Sequence, residues 1–118
     1  MDCIFCKIIN KEINSKIVYE DDIVISFMDI SPSSMGHVLI IPKEHHDDFT
    51  TANDVIAYMF EIADKIGKNI MEKLNQTGYT LLINYGTAQE VKHLHLHIIP
   101  DNNEKDYDIE DVYKKIKM

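Results

Sequence analysis

The residues most suited to chemistry form a run from His93 to Pro100 in which histidine alternates with apolar residues. Side chains of a β-strand alternate between the two faces of a sheet, so His93, His95 and His97 share one face. Imidazole is a good nucleophile at phosphorus and also donates hydrogen bonds, so this face can act on a phosphate. Two alternatives stay open, a solvated polar face and a metal site built from all three histidines.

A second group of reactive residue types lies at the start of the chain, where two residues separate Cys3 from Cys6. Two thiolates at this spacing can bind one tetrahedral zinc ion. In a reducing compartment zinc binding is expected rather than a disulfide. The alternative is that both cysteines pack as small apolar residues.

The elements that must position these residues predict an α+β fold with a mostly antiparallel five-stranded sheet. The strands are predicted over residues 16–28 (as a hairpin), 37–41, 79–85 and 93–99. Apolar residues spaced three and four apart predict one long helix over 52–74, packed on the sheet. Thr51 is its predicted cap, and Gly78 suits its end. A short C-terminal helix is predicted over 109–116.

Composition and charge limit the classes of function. The chain has 118 residues, 45% hydrophobic and 27% charged, which fits one compact domain over residues 1–118. Its formal charge of -8 argues against nucleic-acid binding, which depends on neutralising phosphates. No signal peptide and no apolar run of the roughly 20 residues needed to span a bilayer is found, so a cytoplasmic location without membrane association is expected.

The histidine segment resembles the signature of the histidine-triad (HIT) nucleotide-binding proteins, His-φ-His-φ-His-φ-φ with φ apolar. The likeness extends, in the expected order, to residues 3–9, 27–32, 36–43, 84–86 and 89–91. Length and motif favour the Hint branch, which hydrolyses nucleoside phosphoramidates. The resemblance therefore implies a single HIT domain with a HIT-like fold and a symmetric homodimer.

The resemblance also implies a mechanism. His95 attacks the α-phosphate of a purine nucleotide conjugate, such as an AMP-amine, and a nucleotidyl-histidine intermediate forms. His97 and the more distant His37 support the site and the phosphate. The attacking ring must be the neutral tautomer, which a carbonyl accepting from its other nitrogen would fix.

Nucleoside binding is assigned by the same resemblance. Asp29 accepts hydrogen bonds from ribose hydroxyls, Phe27 and Ile30 line the base pocket, and Asn84 and Gln89 donate to phosphate oxygens or the leaving group. As alternatives, Asp29 is a turn residue and Phe27 part of the core. The segment around Gln89 is two residues shorter than the family's usual Gly-x-x-Ala-Gly-Gln.

The metal ligands are completed by resemblance as well. Some bacterial relatives hold zinc through a Cys-x-x-Cys pair and two histidines, and these match Cys3, Cys6, His45 and His93 here. His46 is adjacent to His45 and could compete with it. Such a zinc ion is structural, because four protein ligands leave no open position.

Three other functions remain as alternatives. One is hydrolysis of dinucleoside polyphosphates, and another is a nucleotide-sensing or zinc-binding interaction module. Nucleotidyl transfer is disfavoured, because that branch resembles His-Pro-His-x-Gln and this chain has His97 in the last position.

The wide apolar face of the long helix predicts a homodimer formed through this helix and a neighbouring strand edge.

Overall fold

The computed structural model describes residues 3–118. The helices are α1 (Ile4–Ile9), α2 (Asn53–Leu74) and α3 (Ile109–Ile116), and the strands are β1 (Ile17–Glu20), β2 (Val24–Met28), β3 (Val38–Pro42), β4 (Tyr79–Ile83) and β5 (Leu96–Pro100). Neighbouring strands are antiparallel throughout, in the order β1-β2-β3-β5-β4. The α+β fold with a five-stranded antiparallel sheet is thus confirmed. Within residues 3–118, no helix has the length and apolar character needed to cross a membrane.

Helix α2 covers one face of the sheet, as the spacing of its apolar residues predicts. The side chains buried on its inner face include Met59, Ile62, Ile66 and Ile70. They belong to the main hydrophobic core, which also takes in alternate residues of the strands and the inner face of α3. The removal of this apolar surface from water is the main stabilising contribution to the fold.

The ends of α2 differ from the prediction. Thr51 lies in a short 3₁₀ turn, where its hydroxyl is hydrogen-bonded to His46 Nδ1 at 2.9 Å. The helix instead follows Ala52, with no side-chain cap. It stops at Asn75, which adopts the left-handed conformation (φ 54°), and not at Gly78. The predicted cap and stop residues were therefore wrong, because a tertiary contact occupies one and asparagine supplies the left-handed turn.

The opposite face of the sheet packs against α1, a helix that the sequence pattern does not predict. Its six residues are too few to display a helical period. Cys3 caps this helix, since its Sγ accepts from the Cys6 backbone N–H at 3.2 Å. A second, smaller core joins α1 to β2 and β3 and consists of Cys3, Phe5, Ile8, Ile25, Phe27, Leu39 and Ile41.

Strand β5 is shorter than predicted, since regular pairing begins at Leu96 rather than at His93. The segment before it is held elsewhere, because the Leu94 N–H donates to the carbonyl of His46 at 2.7 Å. Strand β4 likewise ends at Ile83 instead of residue 85. In the sheet, His97 lies between Leu39 of β3 and Leu82 of β4.

Candidate active site and metal centre

His95 has one ring nitrogen fixed by the backbone. Its Nδ1 lies 2.7 Å from the carbonyl oxygen of His93. A carbonyl can only accept, so Nδ1 carries the proton and Nε2 of the neutral ring carries the lone pair. The ring is buried and packs edge-on against Phe5, with centroids 5.2 Å apart. This is the carbonyl contact that a nucleophilic histidine requires.

His97 and His37 form a chain of hydrogen bonds whose direction is set by Ser33. The Ser33 backbone N–H donates to His37 Nδ1 at 2.9 Å, so the proton of a neutral His37 lies on Nε2. His37 Nε2 is 3.0 Å from His97 Nδ1, which therefore accepts. The proton of His97 is left on Nε2, as a donor available to a phosphate oxygen.

Burial keeps this pair neutral. It lowers the pKa of His97 to about 4, and the nearby His95 and His37 rings add to the effect. Burial also lowers the pKa of His37, although the carboxylate of Asp29, 3.5 Å from His37 Nε2, opposes the shift. Near neutral pH both rings are therefore hydrogen-bonding groups and not cations.

His95 and His97 open onto a cavity of about 270 Å³. Residues from α1, from β2 with its following loop, and from β3 form its walls. They include Phe5, Phe27, Asp29, Ile30 and Leu39. Ile30 lies at the rim, where its side chain is 95% exposed. Asp29 is held by the Ser31 backbone N–H, which donates to its Oδ1 at 2.8 Å. A larger cleft, of about 530 Å³, lies between β3 and α2 and contains none of the three catalytic candidates.

The two phosphate-side candidates do not line this cavity. Asn84 follows β4, and extending the register of β4 and β5 by one step past Ile83 and Leu96 would place it opposite His95 on the same face. Gln89 points elsewhere, since its Nε2 donates to the Asp47 carbonyl at 2.7 Å. Its side chain therefore pins a loop in this structure.

The predicted metal ligands converge. The ligand atoms of Cys3, Cys6, His45 and His93 all lie within 4.8 Å of one another. His93 Nδ1 is 3.3 Å from Cys3 Sγ, and His45 Nδ1 is 3.3 Å from Cys6 Sγ. Nitrogen and sulfur ligands of a tetrahedral zinc ion are about 3.5 Å apart, as bond lengths near 2.0 and 2.3 Å require.

Both histidines of this cluster direct a lone pair at the thiols. His93 Nε2 donates to the Pro42 carbonyl at 2.9 Å, and His45 Nε2 is 2.7 Å from a carboxylate oxygen of Asp47. This leaves each Nδ1 without a proton, the arrangement that outer partners impose on metal-binding histidines. His46 does not compete, because it is held by Thr51.

The two thiols stand close together, where a bound cation would favour their thiolate forms. Burial raises the pKa of the Cys6 thiol to about 11, and the adjacent Cys3 adds to the effect. A divalent cation reverses this tendency, because it stabilises thiolates directly. The four residues of the cluster therefore fit a zinc ion. His95 and His97 lie outside this cluster, so the described residues do not bring His93, His95 and His97 together as one metal site.

Some functional groups had no sequence signal. Ser33 acts through its backbone N–H, and Pro42 and His93 through their carbonyls, which every residue type carries. Asp47 could have been found, since a carboxylate two residues after a candidate histidine ligand is a reasonable outer partner.

Comparison with known proteins gives one consistent result. Residues 10–104 match the family described as the HIT domain. An uncharacterised HIT-like protein of Methanocaldococcus jannaschii is 40% identical over a 127-residue alignment that covers 98% of each chain. An adenylylsulfatase of Arabidopsis thaliana is 40% identical over 84% of this chain and 52% of its own length.

Solved structures agree in fold. A histidine triad nucleotide-binding protein of Sulfolobus tokodaii superimposes with a TM-score of 0.89 at 32% identity, covering 98% of this chain and 89% of that one. A HIT family hydrolase of Legionella pneumophila has a TM-score of 0.77 at 34% identity, with 86% and 95% covered. A zinc-bound histidine triad family protein of Mycobacterium smegmatis has a TM-score of 0.79 at 30% identity, with 99% and 91% covered.

Proposed function

The chain belongs to the HIT domain family, and from that premise we propose that it is a nucleotide hydrolase whose nucleophile is His95. The observation that carries the proposal is the 2.7 Å contact between His95 Nδ1 and the His93 carbonyl, which leaves the Nε2 lone pair free beside a cavity that Phe27 and Asp29 also line. The names of relatives that are nucleotide-binding proteins and hydrolases support it.

The proposed substrate is a purine nucleoside 5'-phosphoramidate. His95 Nε2 forms a bond to phosphorus while the phosphorus–nitrogen bond of the substrate breaks, and the amine leaves with a proton taken from solvent. Water then attacks phosphorus and breaks its bond to His95, which releases the nucleoside 5'-monophosphate and regenerates the free histidine. His97, supported by His37, donates from Nε2 to a phosphate oxygen, and one such donor is typically worth about a hundredfold or more in rate.

The remaining roles follow from position. Asp29 binds ribose hydroxyls at the cavity rim, and Phe27 packs beside the base, with Ile30 closing over it. We assign Asn84 to the phosphate because continuing the β4–β5 pairing by one residue would place it opposite His95. Gln89 reaches the phosphate only if its amide releases the Asp47 carbonyl.

We further propose one structural zinc ion per chain, held by Cys3, Cys6, His45 and His93. An ion held by these four residues would cross-link the segment before α1, the segment after β3 and the segment before β5. His93 belongs to both sites, since its ring is a ligand and its carbonyl orients His95. The zinc-bound relative of Mycobacterium smegmatis supports the choice of metal.

Two assignments concern the whole chain. Residues 1–118 are proposed to form a single HIT domain, and two copies are proposed to form a symmetric dimer through α2 and the open edge at β4. Hydrolysis of dinucleoside polyphosphates remains the rival activity. The Arabidopsis relative adds adenylyl sulfate as a second anhydride to compare.

The test is turnover of an adenosine 5'-phosphoramidate by the wild type and by His95→Ala. We expect turnover to fall about a thousandfold or more while AMP affinity stays within roughly tenfold, because a removed nucleophile costs the transition state more than the ground state. The matched control is His46→Ala, whose ring contacts Thr51 outside the cavity and whose loss should leave turnover near normal. Near-normal turnover by His95→Ala would rule out the mechanism and favour a binding module.

A further inference from the structure

The charged side chains that line the catalytic cavity are both acidic. They are Asp29 and Glu90, and no lysine is among the described residues that form its walls. Arginine cannot contribute, because the sequence contains none. Burial lowers the pKa values of His37 and His97, so these two rings add no positive charge near neutral pH.

The two carboxylates come from different segments of the cavity wall, and each also lines a different neighbouring cleft. Asp29 follows β2 and is engaged by Ser31 and His37, on the side assigned to the ribose. Glu90 lies in the segment that leads to the proposed nucleophile, His95, just before β5, and is exposed. The cavity wall thus includes one carboxylate on the nucleoside side, after β2, and a second one in the segment that precedes the reacting histidines.

The backbone around Glu90 is anchored on both sides. The side-chain amide of Gln89 donates from Nε2 to the backbone carbonyls of Asp47 and Val91, at 2.7 and 3.3 Å. Val91 packs against the core beneath α1. The neighbours of Glu90 are therefore tied to the core and to the metal-ligand segment, which fixes the backbone of Glu90 at the cavity wall.

Nearby cations are already engaged. Lys92 Nζ donates to the Gly86 carbonyl at 3.0 Å. Lys92 lines an adjoining cleft of about 420 Å³, which shares Ile4, Glu90 and Val91 with the catalytic cavity and adds the carboxylate of Asp47. On the far side, Lys16 pairs with Glu110. The charged groups of this adjoining cleft are thus two carboxylates and one ammonium, so negative charge predominates on the β5 side.

We propose that Glu90 is a specificity-determining residue that favours a neutral or cationic amine leaving group and disfavours an anionic one. The inference rests on the proposed phosphoramidate hydrolysis and narrows its substrate class. A phosphate or sulfate leaving group would bring negative charge beside Glu90, where no lysine of the cavity wall offsets it. An amine takes up a proton from solvent as the phosphorus–nitrogen bond breaks, and the resulting ammonium is stabilised by the carboxylate.

The test uses three adenosine 5'-phosphoramidates of similar size, made from 1,3-diaminopropane, butylamine and β-alanine, together with adenylyl sulfate. For the wild type we expect kcat/KM to fall from the cationic to the neutral to the anionic amine, with about three- to tenfold between the extremes, as exposed charge pairs of this kind allow. The ratio should shrink toward one in 1 M salt, where the Debye length is about 3 Å.

The variants isolate Glu90. Glu90→Gln should bring the cationic-to-anionic ratio close to one, and Glu90→Lys should invert it. Glu104→Gln, which removes an exposed carboxylate on the loop after β5, should keep the wild-type ratio. Thermal unfolding of each variant checks that it is folded, and ratios within one variant cancel differences in active fraction.

The outcomes separate the inference from the activity on which it rests. If the wild type hydrolyses the butylamine conjugate but Glu90→Gln leaves the cationic-to-anionic ratio of kcat/KM unchanged, the inference alone is overturned. Faster wild-type turnover of the β-alanine conjugate or of adenylyl sulfate than of the amines would do the same. If the wild type hydrolyses none of the three phosphoramidates, both the proposed function and the inference are overturned.

Discussion

A histidine attacks phosphorus only through a ring nitrogen that carries a lone pair, so the tautomer of each ring decides its role. Three backbone groups set the tautomers here, the carbonyls of His93 and Pro42 and the N–H of Ser33. His95 is thereby left with its lone pair at Nε2, as the proposed nucleophile requires, while His93 presents Nδ1 to the thiols. Rings of the same residue type are thus prepared for different roles because their backbone partners differ.

The buried, neutral state of His97 predicts how stability depends on pH. Its pKa is about 4 in the folded chain and about 6.5 when unfolded. Between these values the unfolded chain binds more protons, so stability is complete above pH 6.5 and falls as the pH drops toward 4. We expect His97 to account for at least about 1 kcal/mol of that loss, because one unit of pKa shift corresponds to about 1.4 kcal/mol.

Thermal unfolding of the wild type and of His97→Asn between pH 4 and 7 measures this contribution. The Asn Oδ1 can accept from His37 in place of the ring nitrogen. The charged and titratable groups that face His97 are Asp29, His37 and His95, and they are present in both proteins. The variant should have the flatter pH dependence, and an equal slope in the two would contradict the assignment.

At the residue scale, type and spacing indicated the histidine strand face and the Cys3–Cys6 pair. The roles of His37, His45 and His93 came from the resemblance to the HIT family, and the structure brings the four candidate metal ligands together. Backbone contributions such as that of Ser33 could not be predicted, because they depend on where the chain passes in three dimensions. The orientation of Gln89 was missed for the same reason.

At the scale of elements, short helix α1 connects the two sites. It contributes Phe5 to the wall around His95, and its cap Cys3 belongs to the metal cluster. The sequence could not predict this helix, because six residues hold too little periodicity. By contrast, the eight residues of α3 were predicted with their bounds, since their apolar spacing continues over two turns.

The metal cluster predicts that zinc stabilises these elements. Protein purified without chelators or affinity-column metal should contain about one zinc ion per chain. Chelation should lower the unfolding temperature, because a ligand at a hundred times its Kd stabilises the folded state by about 2.7 kcal/mol. Cys3→Ser and Cys6→Ser should lose zinc and stability while the remaining folded protein keeps the nucleophile.

Adjacent histidines provide the control for the metal site. His45→Ala should lose zinc, whereas His46→Ala should retain it, because only His45 lies in the cluster. Elemental analysis and calorimetry measure both effects. A zinc content near zero in the wild type, with no change in melting on adding zinc, would refute the site and leave the two cysteines as packing residues.

At the scale of the whole molecule, the sheet has an open edge at β4. Leu82 on that strand is 39% exposed, and Phe60 on α2 is 42% exposed. A strand edge that no described strand covers and exposed apolar side chains each favour association with another chain. The sequence predicted the wide apolar face of α2, but which part of it stays uncovered depended on the strand order.

Sedimentation tests the dimer. At micromolar concentration the wild type should sediment at twice the 13.7 kDa mass of the chain. Phe60→Glu should weaken the dimer about tenfold or more, since burying an unpaired charge costs several kcal/mol. The matched variant Glu61→Gln, on the exposed side of the same helix, should leave the dimer intact. A wild type that sediments only at 13.7 kDa would contradict the assignment.

The central claim is that His95 carries the nucleotide covalently, and rapid quenching followed by mass spectrometry tests it most directly. The wild type is mixed with excess adenosine phosphoramidate, quenched at alkaline pH, digested and mapped. A covalent intermediate accumulates when its hydrolysis is slower than its formation, and we predict one nucleotidyl group per chain on the peptide of β5, bonded to His95 Nε2. Steady turnover without an adduct at any quench time, or an adduct on His93 or His97, would contradict the account.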